Sequence, residues 1–473
     1  MRARFLLVAA ALAAFGASLG SGFHFDDYAI FATPLHFFDP RQTRPLTYLS
    51  FWLNYQTGGE NAFGYHAINL LLHLGAVLLL FECLRRLLPE RAALIAAAIF
   101  AIHPIQAEAV NYVWARSILL AVLLCLAAWR AWQEGRPWQA VVWFAAALLA
   151  KEECAAFPLM LWIVDRKRGS LRYLAAMLML SLAAGAHVIY ATLVTPGAPA
   201  GFQAGISPWH YLAAQSVVIL RYLRLLVVPY GFTVDPEIHV VLWLGVLAWA
   251  GILAGAVFAW RRGQRWIVAG LVLLLPSSSI FPAADLAADR RMYLPMVAFS
   301  AGAGLALARF KAQRGATAAA GAVLLFLAMA RTSVWRTEES LWREAVERAP
   351  EKVRPKIQLA RVLPAAQALE LLNRARAQAP YDPAIAAETG KVLLAEGQPE
   401  AALEEFGRAL ALAPRDARNL NNRGVALQAL WQTDAARQDF QRALQIDPSL
   451  TEARENLEKI GQGQAKTATP PGK

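Results

Sequence analysis

Residues 67–102 read AINLLLHLGAVLLLFECLRRLLPERAALIAAAIFAI. Two apolar runs, Ala67–Leu88 and Ala92–Ile102, flank a basic turn at Arg85, Arg86 and Arg91. Crossing a hydrocarbon core takes about 20 apolar residues in a helix, and backbone in lipid must satisfy its own hydrogen bonds. The pair therefore reads as a helical hairpin across a membrane. Working outward, the same punctuation recurs in Phe5–Leu19, Ile118–Trp132, Trp138–Ala150, Ala155–Val164, Tyr173–Val194, Val240–Trp260, Trp266–Ile280, Met296–Ala308 and Ala316–Ala330. About eleven spans are expected, several needing flanking residues to reach full length. Phe5–Leu19, preceded by Arg2 and Arg4, also fits a signal peptide.

Composition agrees. Of 473 residues, 57% are hydrophobic and 17% charged, against roughly 45–50% and 25% in soluble domains. An ordinary soluble enzyme is excluded. Cys83, Cys125 and Cys154 lie inside apolar runs without motif spacing, which excludes a disulfide scaffold and a thiolate metal site. The net charge of +12 suggests nucleic acid until it is divided along the chain. Residues 1–332 hold 26 Lys and Arg against 15 Asp and Glu, whereas residues 333–473 hold 20 against 19. The basic excess thus belongs to the apolar part and reports topology; no nucleic-acid partner is expected.

With the N-terminus in the cytoplasm, the basic clusters Arg2/Arg4, Arg85/Arg86/Arg91, Arg130/Arg136, Arg166/Lys167/Arg168/Arg172, Arg261/Arg262/Arg265 and Arg309/Lys311/Arg314 all fall inside. Tyr211–Val228 interrupts this order. Counting it as a span would send Arg261 and Arg262 outside, so it reads as an interfacial or re-entrant helix, with a true span as the alternative.

Beyond Trp335 the chain turns polar and Ala-rich. Pro380, Pro414 and Pro448 recur every 34 residues, as do Gly390/Gly424, Ala402/Ala436, Phe406/Phe440 and Ala409/Ala443. That period and order resemble the tetratricopeptide (TPR) repeat. The reading is all-α: a membrane domain over 1–332 with an outer loop over 20–66, then a repeat domain over 333–461. Clear repeats are 383–416 and 417–450, a degenerate one ends before 380, Glu452–Ile460 caps the stack, and 462–473 is a disordered tail. The last span exits outward, so the repeats are expected outside, offering a groove to a protein or peptide.

Polar side chains gather on the expected outer side. Phe23-His24-Phe25-Asp26-Asp27-Tyr28 opens the outer loop, and adjacent carboxylates at a membrane surface suit acid/base work, a divalent cation or the capping of a helix start. His103-Pro104 leads into Glu108, Asn111, Tyr112 and Arg116, with the first three of these last four on a shared helix face. Lys151-Glu152-Glu153 and Asp289-Arg290-Arg291-Met292-Tyr293 occupy later outer turns. Basic residues there defy the inside bias, which a bound phosphate or pairing with Glu108, Glu152 and Asp289 would explain. Histidines 24, 36, 66 and 103 contain no i,i+4 pair, which argues against zinc.

The ordered set resembles the GT-C glycosyltransferases, and in particular the transmembrane and TPR-containing O-mannosyltransferases and their bacterial relatives. Its parts are Phe25-Asp26-Asp27-Tyr28, Arg44-Pro45-Leu46, His66-Ala67-Ile68-Asn69 with His73, His103-Pro104 through Glu108-Ala109-Val110 to Arg116, Lys151-Glu152, Asp289-Arg290 with Tyr293-Leu294-Pro295, and the repeat tail. The chain departs from the pattern in having few repeats and Arg291-Met292 where aromatics are usual. The resemblance implies transfer of a sugar from a polyprenyl-phosphate donor to an acceptor hydroxyl, with inversion. Asp26 or Asp27 would be the catalytic base, and Arg116, Lys151 and Arg290 would bind the donor phosphate. Arg44, His103, Glu108, Asn111, Glu152, Asp289 and Tyr293 would support them. Any metal would sit on Asp26 and Asp27; no other cofactor is implied. Protein acceptor, lipid bilayer and donor lipid are the expected partners, and short turns with Ala/Arg-rich usage suggest a bacterial inner membrane with periplasmic repeats. Two rivals stay open: a ligase of lipid-linked oligosaccharide to protein or glycan, and a non-enzymatic TPR scaffold for envelope assembly.

Overall fold

The computed structural model describes residues 1–32, 42–166, 171–195, 201, 205–283, 285–309 and 314–467. His36, Lys167, Arg168 and Lys311 lie outside the described residues. Every regular element among those described is helical. The chain divides into two compact units, Met1–Leu341 and Trp342–Lys473.

In the first unit, α1 (Arg2–Phe15) buries Leu7, Ala11, Ala14 and Phe15 in the core. The loop that follows is not irregular throughout. It forms a 3-10 turn at Phe25–Tyr28, a short α2 (Ala29–Ala32) and a full helix α3 (Pro45–Gly58), which ends where Gly59 takes φ 57°. Next come α4 (Ala62–Leu84), α5 (Glu90–Ile102), α6 (Ala107–Asn111), α7 (Arg116–Gln133), α8 (Pro137–Ala150) and α9 (Phe157–Val164). The unit continues through α10 (Leu171–Val194), α11 (Pro208–Val227), α12 (Leu242–Arg261), α13 (Arg265–Leu274), α14 (Pro295–Ala308) and α15 (Arg314–Val334). Helix starts follow local chemistry: Asn61 caps α4 by accepting from the Phe63 N–H, and proline opens α3, α8, α11 and α14, where its missing donor costs nothing.

Six helices among the described residues are long and apolar enough to cross a membrane, over 2–20, 62–84, 113–133, 171–194, 242–261 and 315–334. A seventh candidate is α5 with residues 104–111, bent by 48° at the break before Pro104. Helices α8, α13 and α14 are apolar but shorter, and α9 has eight residues. The eleven expected runs therefore each hold a helix, but fewer reach spanning length. Helix α8 ends at buried Lys151, and α14 follows the turn that holds buried Asp289. Helix α11 is not among the spanning candidates. Packing of α5 on α14 is close: a Cβ on Gly304 would lie 2.4 Å from the Ala92 carbonyl oxygen.

The first unit runs nine residues beyond the expected boundary at 332 because Trp335 is fully buried and Leu341 joins its apolar core. Helix α16 (Glu338–Arg348) begins in it.

The second unit pairs antiparallel helices: α17 (Val353–Ala360) with α18 (Ala365–Gln378), α19 (Pro383–Ala395) with α20 (Pro399–Leu412), and α21 (Ala417–Ala429) with α22 (Thr433–Ile446). The 34-residue period has a steric cause. A Cβ at Gly390 would sit 2.8 Å from the Phe406 ring, and one at Gly424 2.6 Å from Phe440. In the degenerate repeat Lys356 stands at the glycine's place, its ammonium donating to the Pro350 carbonyl and to Gln378. The final helix, α23 (Thr451–Thr467), extends into the stretch expected to be a disordered tail, and 468–473 lie outside the described residues.

Candidate active site

The two adjacent aspartates part company at the 3-10 turn. Asp27 is fully buried, accepting the His24 backbone N–H at Oδ2 (2.9 Å) and the Trp114 backbone N–H at Oδ1 (2.7 Å). Burial pushes its carboxyl up to about 8, although those amides pull the other way. Asp27 thus serves the capping role. Asp26 is exposed, and its Oδ2 accepts from the Tyr112 hydroxyl at 3.1 Å.

Tyr112 joins this carboxylate to a cation. Its pKa is raised by burial and by Asp26 and Asp27, so it stays a hydrogen-bond donor. The Arg290 guanidinium carbon lies 5.8 Å from its ring centroid. Arg290 pairs with buried Glu108, to which its backbone N–H also donates (3.2 Å), and reaches Asp285 at 3.4 Å. Its side chain remains 24% exposed, enough to meet a ligand.

Lys151 and Arg44 form the adjoining charged group. Lys151 is buried, 3.3 Å from Glu153; burial lowers its pKa to about 8 despite Glu153, with Arg44 and Arg290 adding repulsion. Arg44 grips Glu152 with two bonds, 3.0 and 2.5 Å, and although burial raises Glu152, Arg44 holds it down at about 2.

Arg116 is not part of this arrangement. It is fully buried, its Nε donating to Asn69 (3.0 Å), Nη1 to the Ser50 carbonyl (3.1 Å), and Nη2 to Asn54 (2.8 Å) and the Tyr65 carbonyl (3.1 Å). Phe51 covers the guanidinium at 4.4 Å. That geometry is at odds with gripping a phosphate; Arg116 ties α3, α4 and α7 together.

Among the supporting set, His103 caps the turn at Pro104 by accepting the Ile105 N–H (3.1 Å), and Asn111 donates to Thr332 (3.3 Å). Tyr293 meets His73 at 2.8 Å inside the bundle. Asp289 is bound by Arg221 of α11 at 2.6 Å. The same helix supplies Tyr222, whose hydroxyl donates to the Ala288 carbonyl (2.8 Å) and accepts its N–H (3.0 Å), and Gln215, which donates to the Leu286 carbonyl (2.9 Å). Helix α11 thus fixes the turn that carries Arg290. Arg221 is a positive charge within the otherwise apolar run Tyr211–Val228, and that misplaced charge is the signal available in the sequence. Among the described residues no three His, Cys, Asp or Glu side chains converge as metal ligands; His24 and His66 bond the Trp335 and Gly22 carbonyls, 2.8 and 3.1 Å.

Comparison with known proteins matches residues 42–191 to the family described as dolichyl-phosphate-mannose-protein mannosyltransferase, and residues 417–450 to the tetratricopeptide repeat. Protein O-mannosyl-transferase Tmtc1 of Drosophila melanogaster is 38% identical over 130 residues, 26% of this chain and 15% of that protein. Protein O-mannosyl-transferase TMTC3 of Mus musculus is 35% identical over 120 residues, 23% of this chain and 13% of that protein. The matches therefore span under one sixth of those relatives' length. The crystal structure of ArnT from Cupriavidus metallidurans bound to undecaprenyl phosphate aligns with 88% of this chain and 80% of that one, at 16% identity and TM-score 0.42. The chain is thus a membrane protein whose residues 42–191 are similar to protein mannosyltransferases and whose residues 417–450 are similar to a tetratricopeptide repeat.

Proposed function

We propose that the protein transfers a hexose, mannose by kinship with its relatives, from a polyprenyl phosphate to a hydroxyl on a protein at the extracytoplasmic face of its membrane. The observation that carries this reading is the exposed Asp26 carboxylate, linked through the Tyr112 hydroxyl to a ring that lies under Arg290. In the reaction the acceptor oxygen bonds to the anomeric carbon as the bond from that carbon to the phosphate oxygen breaks, inverting the centre. Asp26 takes the acceptor's proton. The electron pair leaves with the lipid phosphate, already an anion, so no acid is needed. Arg290 and Lys151 are the cations for that phosphate, held by acids until it arrives and acting in a partly dry site where fixed charges are worth most. The repeats would present the acceptor.

Asp26→Asn decides the matter. Membranes carrying the full chain, given polyprenyl-phosphate [14C]mannose, are expected to label protein. Asp26→Asn should cut labelling by roughly 10²–10⁴-fold with normal insertion. Full labelling by Asp26→Asn would overturn the assignment, and absence of label with the native chain would overturn the donor.

A further inference from the structure

We infer that Glu338, at the start of α16, is a positioning residue for Asp26; the inference rests on Asp26 being the base. Phe25, immediately before it, has φ 43°, in the left-handed region that side chains beyond glycine and asparagine rarely adopt. Such backbone persists only where its surroundings hold it, and it gathers at sites where a neighbour must be aimed. Here the hold comes from far along the sequence. The Phe25 N–H donates to Glu338 Oε1 at 3.2 Å, and His24 Nε2 bonds the Trp335 carbonyl at 2.8 Å. The Trp335 ring lies edge-on to His24 and to Phe25, with centroids 5.7 and 6.3 Å away, and is tilted on Tyr112 at 5.9 Å. Residues 335–338 therefore clasp the turn from one side while Tyr112 holds Asp26 from the other. A carboxylate accepting a backbone N–H is the stronger kind of hydrogen bond. Releasing it lets Phe25 relax to negative φ, which swings the next Cα–Cβ bond and takes Asp26 off Tyr112.

The test is a cycle between Glu338 and Phe25 in the full chain, reading labelled protein from polyprenyl-phosphate [14C]mannose. Glu338→Ala is expected to lower kcat about tenfold at unchanged donor KM, and Glu338→Gln, which keeps an acceptor oxygen, to lose less. Phe25→Gly lowers the starting rate by removing the ring, but glycine adopts positive φ freely. In that background the further loss from Glu338→Ala should shrink to about twofold or less. An equal loss in both backgrounds, a raised donor KM, or no loss at all overturns the inference while leaving the base assignment intact. Full activity in Asp26→Asn overturns the base assignment whatever Glu338 does. If Glu338→Ala does not fold, Glu338→Gln runs through the same cycle and the same outcomes decide.

Discussion

Arg116 and Arg290 are two arginines in the apolar half of one chain, each read from sequence as a misplaced positive charge, and their surroundings differ in kind. Around Arg116 the acceptors are neutral: two asparagine oxygens and two backbone carbonyls, with a phenyl ring over the face. Nothing there compensates the charge fully, yet nearly every donor is spoken for. Around Arg290 the acceptors are Glu108 and Asp285, one buried and one not, and the side chain keeps about a quarter of its surface. The first is a girder. The second is a charge held in place by acids, with surface left over for an anion. Partners and exposure, not charge, tell the two apart.

Substitution can break that contrast. Arg290→Gln is expected to cost on the order of 10²–10³ in transfer rate per folded molecule, since a fixed cation facing the leaving group acts chiefly in the transition state. It should lower the melting temperature as well, because buried Glu108 loses its cation. Arg116→Gln should lower stability alone. Leaving buried carbonyls and amides unmet costs roughly 2–4 kcal/mol of stability, read as a lower thermal midpoint in detergent, while transfer per folded molecule stays close to native. Equal rate losses in the two variants would erase the distinction.

Lys151 sharpens it further. Its pKa is lowered to about 8, so it carries its charge below that pH and loses it above. Donor affinity should therefore weaken as pH rises through about 8, and Lys151→Arg, charged throughout, should remove that limb from the pH profile. A limb that survives Lys151→Arg belongs to another group. The smallest effect is expected at Asp27→Asn, where an amide nitrogen meets a backbone N–H that wanted an acceptor: about 1–3 kcal/mol of stability, measured by thermal melting, with the pH profile of transfer unchanged.

The repeats were legible because their cause is local and periodic: Gly390 and Gly424 leave room for Phe406 and Phe440, and the period shows wherever that fit recurs. The helix-rich membrane half was legible in its apolar runs, but their shortening was not, since whether α8 or α14 spans depends on which polar turn its neighbours bury. At the site, the pair Asp26-Asp27 stood out, yet adjacency hides which carboxylate faces outward; that follows from the Trp114 and His24 amides claiming Asp27. The surroundings of Arg116 were not legible because its partners Ser50 and Asn54 belong to α3, a helix within what reads as a polar loop. Tyr112 was seen only as a neighbour of Glu108, and Glu338 not at all, since 313 residues separate it from Phe25.

The clasp formed by Trp335 and Glu338 also decides where the chain can be cut. A protein ending at Val334 would lose the repeats and the hold on Phe25 together, and its inactivity would be credited to the wrong part. Ending at Arg348, after the whole of α16, keeps Trp335 and Glu338 in place, so whatever such a shortened protein can no longer do is due to the repeats.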